Sequence, residues 1–288
     1  MFTIHPQTHM GRVHLTVADL GRSLDYYQQR IGLTLIRQED RAVYLGAGER
    51  ELLVLTEQPG ARPMRHTTGL YHFALLTPSR LELARTLQHL IQTETPIYGA
   101  SDHAVSEALY LTDPDGHGIE IYRDRPRAQW EFPNGRLKMV TEPFDADGVL
   151  GELNGRSQPY NGIHPDTIMG HVHLHVANIP DAELFYGQLL GFEIMARYGP
   201  SASFAAAGGY HHHLGLNTWA GVGAPPPPPD AARLLWYEIV LPDTAVLDEL
   251  TRRIEAVGLA MEKRGNGRYL TDPAGNGILL ITTQPRAS

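Results

Sequence analysis

Apolar positions along the chain follow two rhythms, short runs with strand-like alternation and longer stretches with helical spacing, and their succession occurs four times. Val13–Ala18 has the pattern of a strand, and Ser23–Ile31 follows with helical spacing at Leu24, Tyr27 and Ile31. Strand-like runs come next at Thr34–Arg37, Ala42–Leu45 and Glu51–Thr56. The pattern then restarts with a strand at Tyr71–Leu76 and a helix at Arg80–Ile91, begun by Pro78-Ser79. Strands near Pro96–Tyr98, at Ala108–Leu111 and at Gly118–Tyr122 complete this second unit. The same order begins again at His171 and at Leu234, which predicts four βαβββ modules. Loop signals separate them: Gln58-Pro59-Gly60, a polar stretch from about Arg123 to Pro165, and five prolines at 225–229 that favour a stiff extended spacer.

The modules are duplicated in pairs. Met10-Gly-Arg-Val-His-Leu-Thr-Val-Ala18 overlays Met169-Gly-His-Val-His-Leu-His-Val-Ala177 at an offset of 159 residues. The register holds through Tyr27/Tyr186 and Gly32/Gly191, and Tyr110–Gly116 overlays Tyr269–Gly275 at the same offset. The expected organisation is an N-terminal domain at 1–125, a linker at 126–165 and a C-terminal domain at 166–288.

Composition narrows the chemistry. The 288 residues are 42% hydrophobic and 19% charged, the balance of a globular chain. The net charge of -8 and scattered Lys and Arg speak against nucleic acid or an anionic membrane as a partner. No cysteine is present, so a metal would have to sit on His, Asp or Glu, and fifteen histidines are available. Neither a signal-peptide pattern nor a long apolar run is visible, and a cytoplasmic protein is expected.

Four modules with Gly-x-Val-His-Leu openings and Asp-Pro-x-Gly-x-Gly-Ile hairpins resemble the vicinal oxygen chelate superfamily of glyoxalase I, bleomycin-resistance proteins and extradiol dioxygenases. The phrases Thr68-Gly-Leu-Tyr-His-Phe-Ala74, Asp102-His-Ala-Val-Ser-Glu-Ala-Leu-Tyr-Leu111 and Gly208-Gly-Tyr-His-His-His-Leu-Gly-Leu-Asn217 are similar to those of bacterial four-module catechol-2,3-dioxygenase-like proteins. The resemblance implies an α+β fold in which paired modules curve mixed sheets into a cup around a metal. It also implies that ligands come from first and last strands of modules. His72, Glu120 and His171 stand at such positions, whereas their duplicates Trp236, Leu279 and Arg12 cannot bind a divalent metal. Modules two and three are therefore expected to build a live cup, and modules one and four a degenerate one. Two imidazoles and a carboxylate suit Fe(II) with open coordination sites, and the same ligands suit Mn(II). His14 could replace His171, but its twin His173 marks it as shared scaffold.

For the remaining chemistry the resemblance implies His103 and Tyr110 as orienting and proton-donating groups, and a base within Tyr210-His-His-His213. Alignment of the following apolar triplet favours His212, while strand alternation from Gly215 favours His213. Asp113 and Asp272 read as turn caps, and Tyr26-Tyr27 and Phe185-Tyr186 as core. The expected function is extradiol cleavage of a catechol-type aromatic diol by O2 at a mononuclear Fe(II), with a homodimer left open. The alternatives are a metal-dependent isomerase or transferase of the same superfamily and a metal-free protein that binds an aromatic antibiotic.

Overall fold

The computed structural model describes residues 2–155 and 159–283. The first module comprises β1 (His9–Val17), α1 (Leu20–Asp25), β2 (Thr34–Glu39), β3 (Ala42–Ala47) and β4 (Arg50–Glu57). The second comprises β5 (Gly69–Leu76), α2 (Arg80–Gln92), β6 (Gly99–Asp102), β7 (Ser106–Thr112) and β8 (Gly118–Asp124). A connecting segment carries β9 (Glu142–Pro143) and α3 (Ala146–Gly151). The third module has β10 (Ile168–His175), α4 (Ile179–Ala182), β11 (Glu193–Tyr198), β12 (Ala202–Ala206) and β13 (Leu214–Asn217). The fourth has β14 (Leu234–Leu241), α5 (Thr244–Ala256), β15 (Glu262–Arg264), β16 (Gly267–Thr271) and β17 (Gly277–Thr282).

The modules pair across the halves of the chain. One mixed sheet runs β15-β16-β17-β14-β1-β4-β3-β2 and joins module four to module one. The other runs β11-β12-β13-β10-β5-β8-β7-β6-β9 and joins module three to module two. Each seam is an antiparallel pair of first strands, β1 with β14 and β10 with β5. One continuous core includes residues of both sheets, Leu53 and Val172 among them, with Leu83, Leu87 and Leu90 of α2 and Leu247, Leu250 and Ile254 of α5. These triplets recur at helical spacing, so a single stripe of each helix meets the core.

Three local features differ from the periodicity. The stretch at Ser23–Ile31 divides into the end of α1 and a π-helical turn at Tyr26–Ile31, closed by Gly32 in the left-handed region. The third module repeats this with a π-helical turn at Glu183–Leu189. The strand expected near Pro96–Tyr98 begins at Gly99, with the Tyr98 N–H donating to the Tyr110 carbonyl of β7 at 2.9 Å just before it. The segment after β8 is more than a spacer: β9 pairs with β6, and Trp130 and Leu137 pack against Val105.

Candidate metal centre

The seam between β5 and β10 sets the site. His171, His173 and His175 alternate along β10 and so share one face. His72 lies opposite His173 on β5, and Glu120 of β8 lies beside Ala74 in the parallel neighbour. Two irregularities aim these side chains. Tyr71 has no cross-strand partner, and this bulge puts both Tyr71 and His72 on the cavity. Gly170 likewise lacks a partner, and a Cβ there would come within 1.9 Å of Tyr122 Oη. Only glycine leaves room for the Tyr122 ring to reach across β5 onto β10 just before His171.

The three expected ligands converge. Glu120 Oε2 is 3.0 Å from His72 Nε2 and 3.1 Å from His171 Nε2, and the two nitrogens are 3.3 Å apart. Donor atoms about 3 Å apart are spaced as neighbouring ligands on one cation bound at about 2.1 Å. Two nitrogen lone pairs turned toward one carboxylate oxygen are satisfied together by such a cation. All three residues are buried. Burial lowers the His72 pKa, which the Glu120 carboxylate offsets only in part, so the ring is neutral and able to coordinate. Burial opposes ionisation of Glu120, but the charge and hydrogen bonds of His171, with the hydrogen bond of His72, hold its pKa well below the usual carboxylate range. The three residues thus fit a divalent metal in geometry, and His72 and Glu120 fit it in protonation state as well. His171 Nδ1 has no hydrogen-bond partner among the described residues, so packing holds this ring, with His212 at 4.1 Å and Tyr122 at 4.9 Å between centroids.

Above the cluster lies a cavity of about 630 Å³, within the usual size of small-molecule sites. His72 and Glu120 reach its floor, and Tyr71, Phe204 and Trp219 form an aromatic wall. Met139–Thr141 of the segment after β8 and Pro227 of the proline run also line it. His103 and Tyr110 are joined, His103 Nε2 lying 2.7 Å from Tyr110 Oη while His103 Nδ1 lies 2.6 Å from the Val140 carbonyl. A carbonyl only accepts, so Nδ1 carries a proton, and Nε2 is the atom that faces the tyrosine hydroxyl. Burial and the charge of Glu120, its direct partner across β7 and β8, raise the Tyr110 pKa well above that of free tyrosine.

His212 and His213 separate clearly. His212 lines the cavity, whereas His213 turns away and accepts from the Ala207 N–H at 3.1 Å. Alternation from Gly215 does not apply, because β13 begins only at Leu214 and His211–His213 form an irregular lead-in. Burial, followed by the charges of neighbouring histidines, lowers the pKa of His212 well below its ordinary value and that of His213 to about 3.

The other cup is filled. Arg12, in the place of His171, donates to Glu238 at 2.9 Å through Nε and to Glu51 at 2.7 Å through Nη1. His14 lies 2.7 Å from the Thr56 hydroxyl and packs edge-on against Trp236, so it cannot join His72 and Glu120 in the other sheet. In the strand pairing His14 aligns with Val54 and His173 with Gly215, so Val54 is the counterpart of Gly215. Asp113 and Asp272 cap their turns as expected, each accepting two backbone N–H groups at 2.8 and 2.9 Å. The periodicity gave no hint of the parts played by Tyr71, Phe204, Trp219, Asp124 and His211. A bulge, a loop or a distant pairing positions each of them.

Paired βαβββ modules around one buried cluster of two histidines and a carboxylate define a class, proteins that cradle a small ligand in a cup of curved sheet. Residues 9–121 match the glyoxalase/bleomycin resistance protein/dioxygenase superfamily. Catechol-2,3-dioxygenase of Bacillus subtilis (strain 168) is 46% identical over 278 residues, covering 95% of this chain and 96% of that protein. Lactoylglutathione lyase of Escherichia coli O157:H7 is 26% identical over 120 residues, 38% of this chain and 89% of that protein. The fold resembles that of a Bacillus subtilis protein assigned as a dioxygenase, with a TM-score of 0.64, 17% identity, and 96% and 86% of the two chains covered. Glyoxalase I from Zea mays gives a TM-score of 0.56 at 17% identity, over 95% of this chain and 92% of that one. The chain belongs to the glyoxalase/bleomycin resistance protein/dioxygenase superfamily.

Proposed function

We propose that the protein is an extradiol ring-cleaving dioxygenase that opens a catechol-type aromatic diol with O2 at one Fe(II) held by His72, Glu120 and His171. One observation carries the reading: these ligand atoms, 3.0–3.3 Å apart, lie beneath a cavity that also holds His212 and the His103–Tyr110 pair. The name of the 46% identical relative, which spans nearly the whole chain, supports it. When bound, the iron supplies adjacent positions for the diol and O2 and passes electron density between them.

The rest falls to the chain. A diol oxygen binds a cation best without its proton, and neutral His212, facing the cavity, accepts that proton. Tyr110 keeps its own proton at Oη, held in place by His103, and offers it to oxygen as the ring opens. Tyr71, Phe204 and Trp219 give the aromatic ring an apolar wall.

The test is elemental analysis of the purified protein, then anaerobic addition of catechol and admission of air. Bound iron, uptake of O2 and a yellow semialdehyde product are expected. Retention of ring cleavage with manganese in place of iron would leave the roles of these residues unchanged. A metal-loaded protein that consumes no O2 with any catechol would point to the isomerase or transferase alternative. A protein that binds no metal after anaerobic preparation would point to a metal-free binding protein.

A further inference from the structure

Behind His212 lies a chain of polar groups that no step so far has used. Asp124, at the end of β8, accepts from His211 Nε2 at 2.9 Å and from the Tyr210 hydroxyl at 3.2 Å. His211 Nδ1 lies 2.7 Å from Nδ1 of His212. We propose that Asp124 and His211 are positioning residues that lock His212 in the tautomer with its proton on Nδ1, leaving Nε2 bare toward the cavity. The use made of that nitrogen rests on the ring-cleavage reading; the tautomer itself does not.

A carboxylate only accepts, so the hydrogen between Asp124 and His211 sits on His211 Nε2. In the proposed arrangement that is the only ring hydrogen of His211, and its Nδ1 is the acceptor. The short contact between the two Nδ1 atoms needs one hydrogen, which must come from His212. An uncharged imidazole carries one such hydrogen, so Nε2 of His212 is free to accept. The surroundings enforce this order. His211 is 0% exposed and boxed by Tyr210, Trp130 and Tyr122, with ring centroids 4.0, 5.6 and 6.0 Å away, so water does not compete for its nitrogens. The His212 ring is held from the other side by His171 at 4.1 Å and Phe204 at 5.1 Å. Gly208 and Gly209, both at positive φ, make the turn after β12 that leads into Tyr210 and His211. An imidazole oriented by a hydrogen bond to its far nitrogen, with an ionised carboxylate at the end of the chain, is a recurring way to present a base.

The tautomer can be read directly. In ¹⁵N-histidine-labelled protein with diamagnetic zinc in place of iron, long-range ¹H–¹⁵N correlations should place the His212 proton on Nδ1 and the His211 proton on Nε2. A His212 proton found on Nε2 overturns the proposal, and this measurement needs no variant to fold. Kinetically, Asp124→Asn should lower kcat for catechol about 10²-fold with KM unchanged within about twofold, the size of a general base wrongly presented. His211→Asn keeps an acceptor for His212 Nδ1 and should recover most of the rate that His211→Leu loses. If both His211 variants melt at lower temperature yet keep the wild-type kcat, His211 is only a structural tie and the proposal fails. If His212 shows the expected tautomer but no catechol is cleaved, the lock stands and the ring-cleavage reading falls.

Discussion

His171 and His14 stand on corresponding first strands, yet their surroundings give them different work. His171 faces Glu120 and His72, whereas His14 meets Thr56 and Trp236 in the other sheet. His171→Ala should therefore lose metal and turnover together. His14→Ala should keep its metal and lose only about 0.5–3 kcal/mol of stability. Metal content of the two purified variants decides between them, and iron lost from His14→Ala alone would refute the assignment. Tyr110→Phe should retain metal while kcat falls about 10²–10⁴-fold, since it removes a proton at Oη and no ligand. Gly170→Ala forces a Cβ against the Tyr122 hydroxyl and should cost about 1–3 kcal/mol. Urea unfolding would show that loss, and an unchanged midpoint would mean that β8 yields at this contact.

The hairpin turns show how an element is tied into the module that precedes it. Tyr27 donates to Asp113 and Tyr186 to Asp272, each at 2.9 Å, at positions related by the repeat. Helix-borne tyrosines of modules one and three thus fasten the last turns of modules two and four. Asp113→Ala removes the acceptor for the Asp115 and His117 N–H groups and for the buried Tyr27 hydroxyl. A loss of about 2–4 kcal/mol is expected from several unsatisfied buried donors, and Asp272→Ala should behave alike. The two should differ in function: β8 carries Glu120, so Asp113→Ala should also weaken metal binding, while Asp272→Ala should not. Isothermal titration with Fe(II) under anaerobic conditions would separate them, and equal affinities would show that strand pairing alone holds β8.

At the scale of the molecule, each sheet joins modules from opposite ends of the chain. Among the described residues only one sheet gathers a His-Glu-His cluster that could hold a metal, since Arg12, Trp236 and Leu279 occupy the equivalent places in the other. One metal per chain is expected, and close to two tightly held equivalents would contradict it. Acid should destabilise the fold before ordinary carboxylates titrate. Burial, with the charges of Arg12 and Arg264, lowers the His14 pKa to about 4, and burial with His211 lowers that of His213 to about 3. Unfolded histidines take up protons below about pH 6.5, while these two, when folded, do not. Their contribution is therefore complete above about pH 6.5 and declines toward about pH 4 for His14 and about pH 3 for His213. Each is worth at most about 1.4 kcal/mol per pH unit within its window. Urea midpoints measured against pH should fall across it, and His14→Gln should flatten the slope.

The four-module plan was legible in the chain because apolar periodicity and a duplicated phrase are local properties, and each strand or helix must bury its own apolar side. The convergence of His72, Glu120 and His171 was legible for a related reason: a duplicated sequence carries its own control, and these three stood where their twins could not coordinate. Where packing between distant segments decides, the chain alone was silent. Bulges at Tyr71 and Gly170 override the two-residue alternation that would assign faces. The choice of His212 over His213 came from a lead-in outside regular pairing. Trp219 and residues 139–141 became cavity walls only when loops folded over the seam, and Phe204 only when β12 joined the same sheet. Asp124 and His211, 87 positions apart, meet because β8 and the approach to β13 flank the same seam, a proximity that no local pattern encodes.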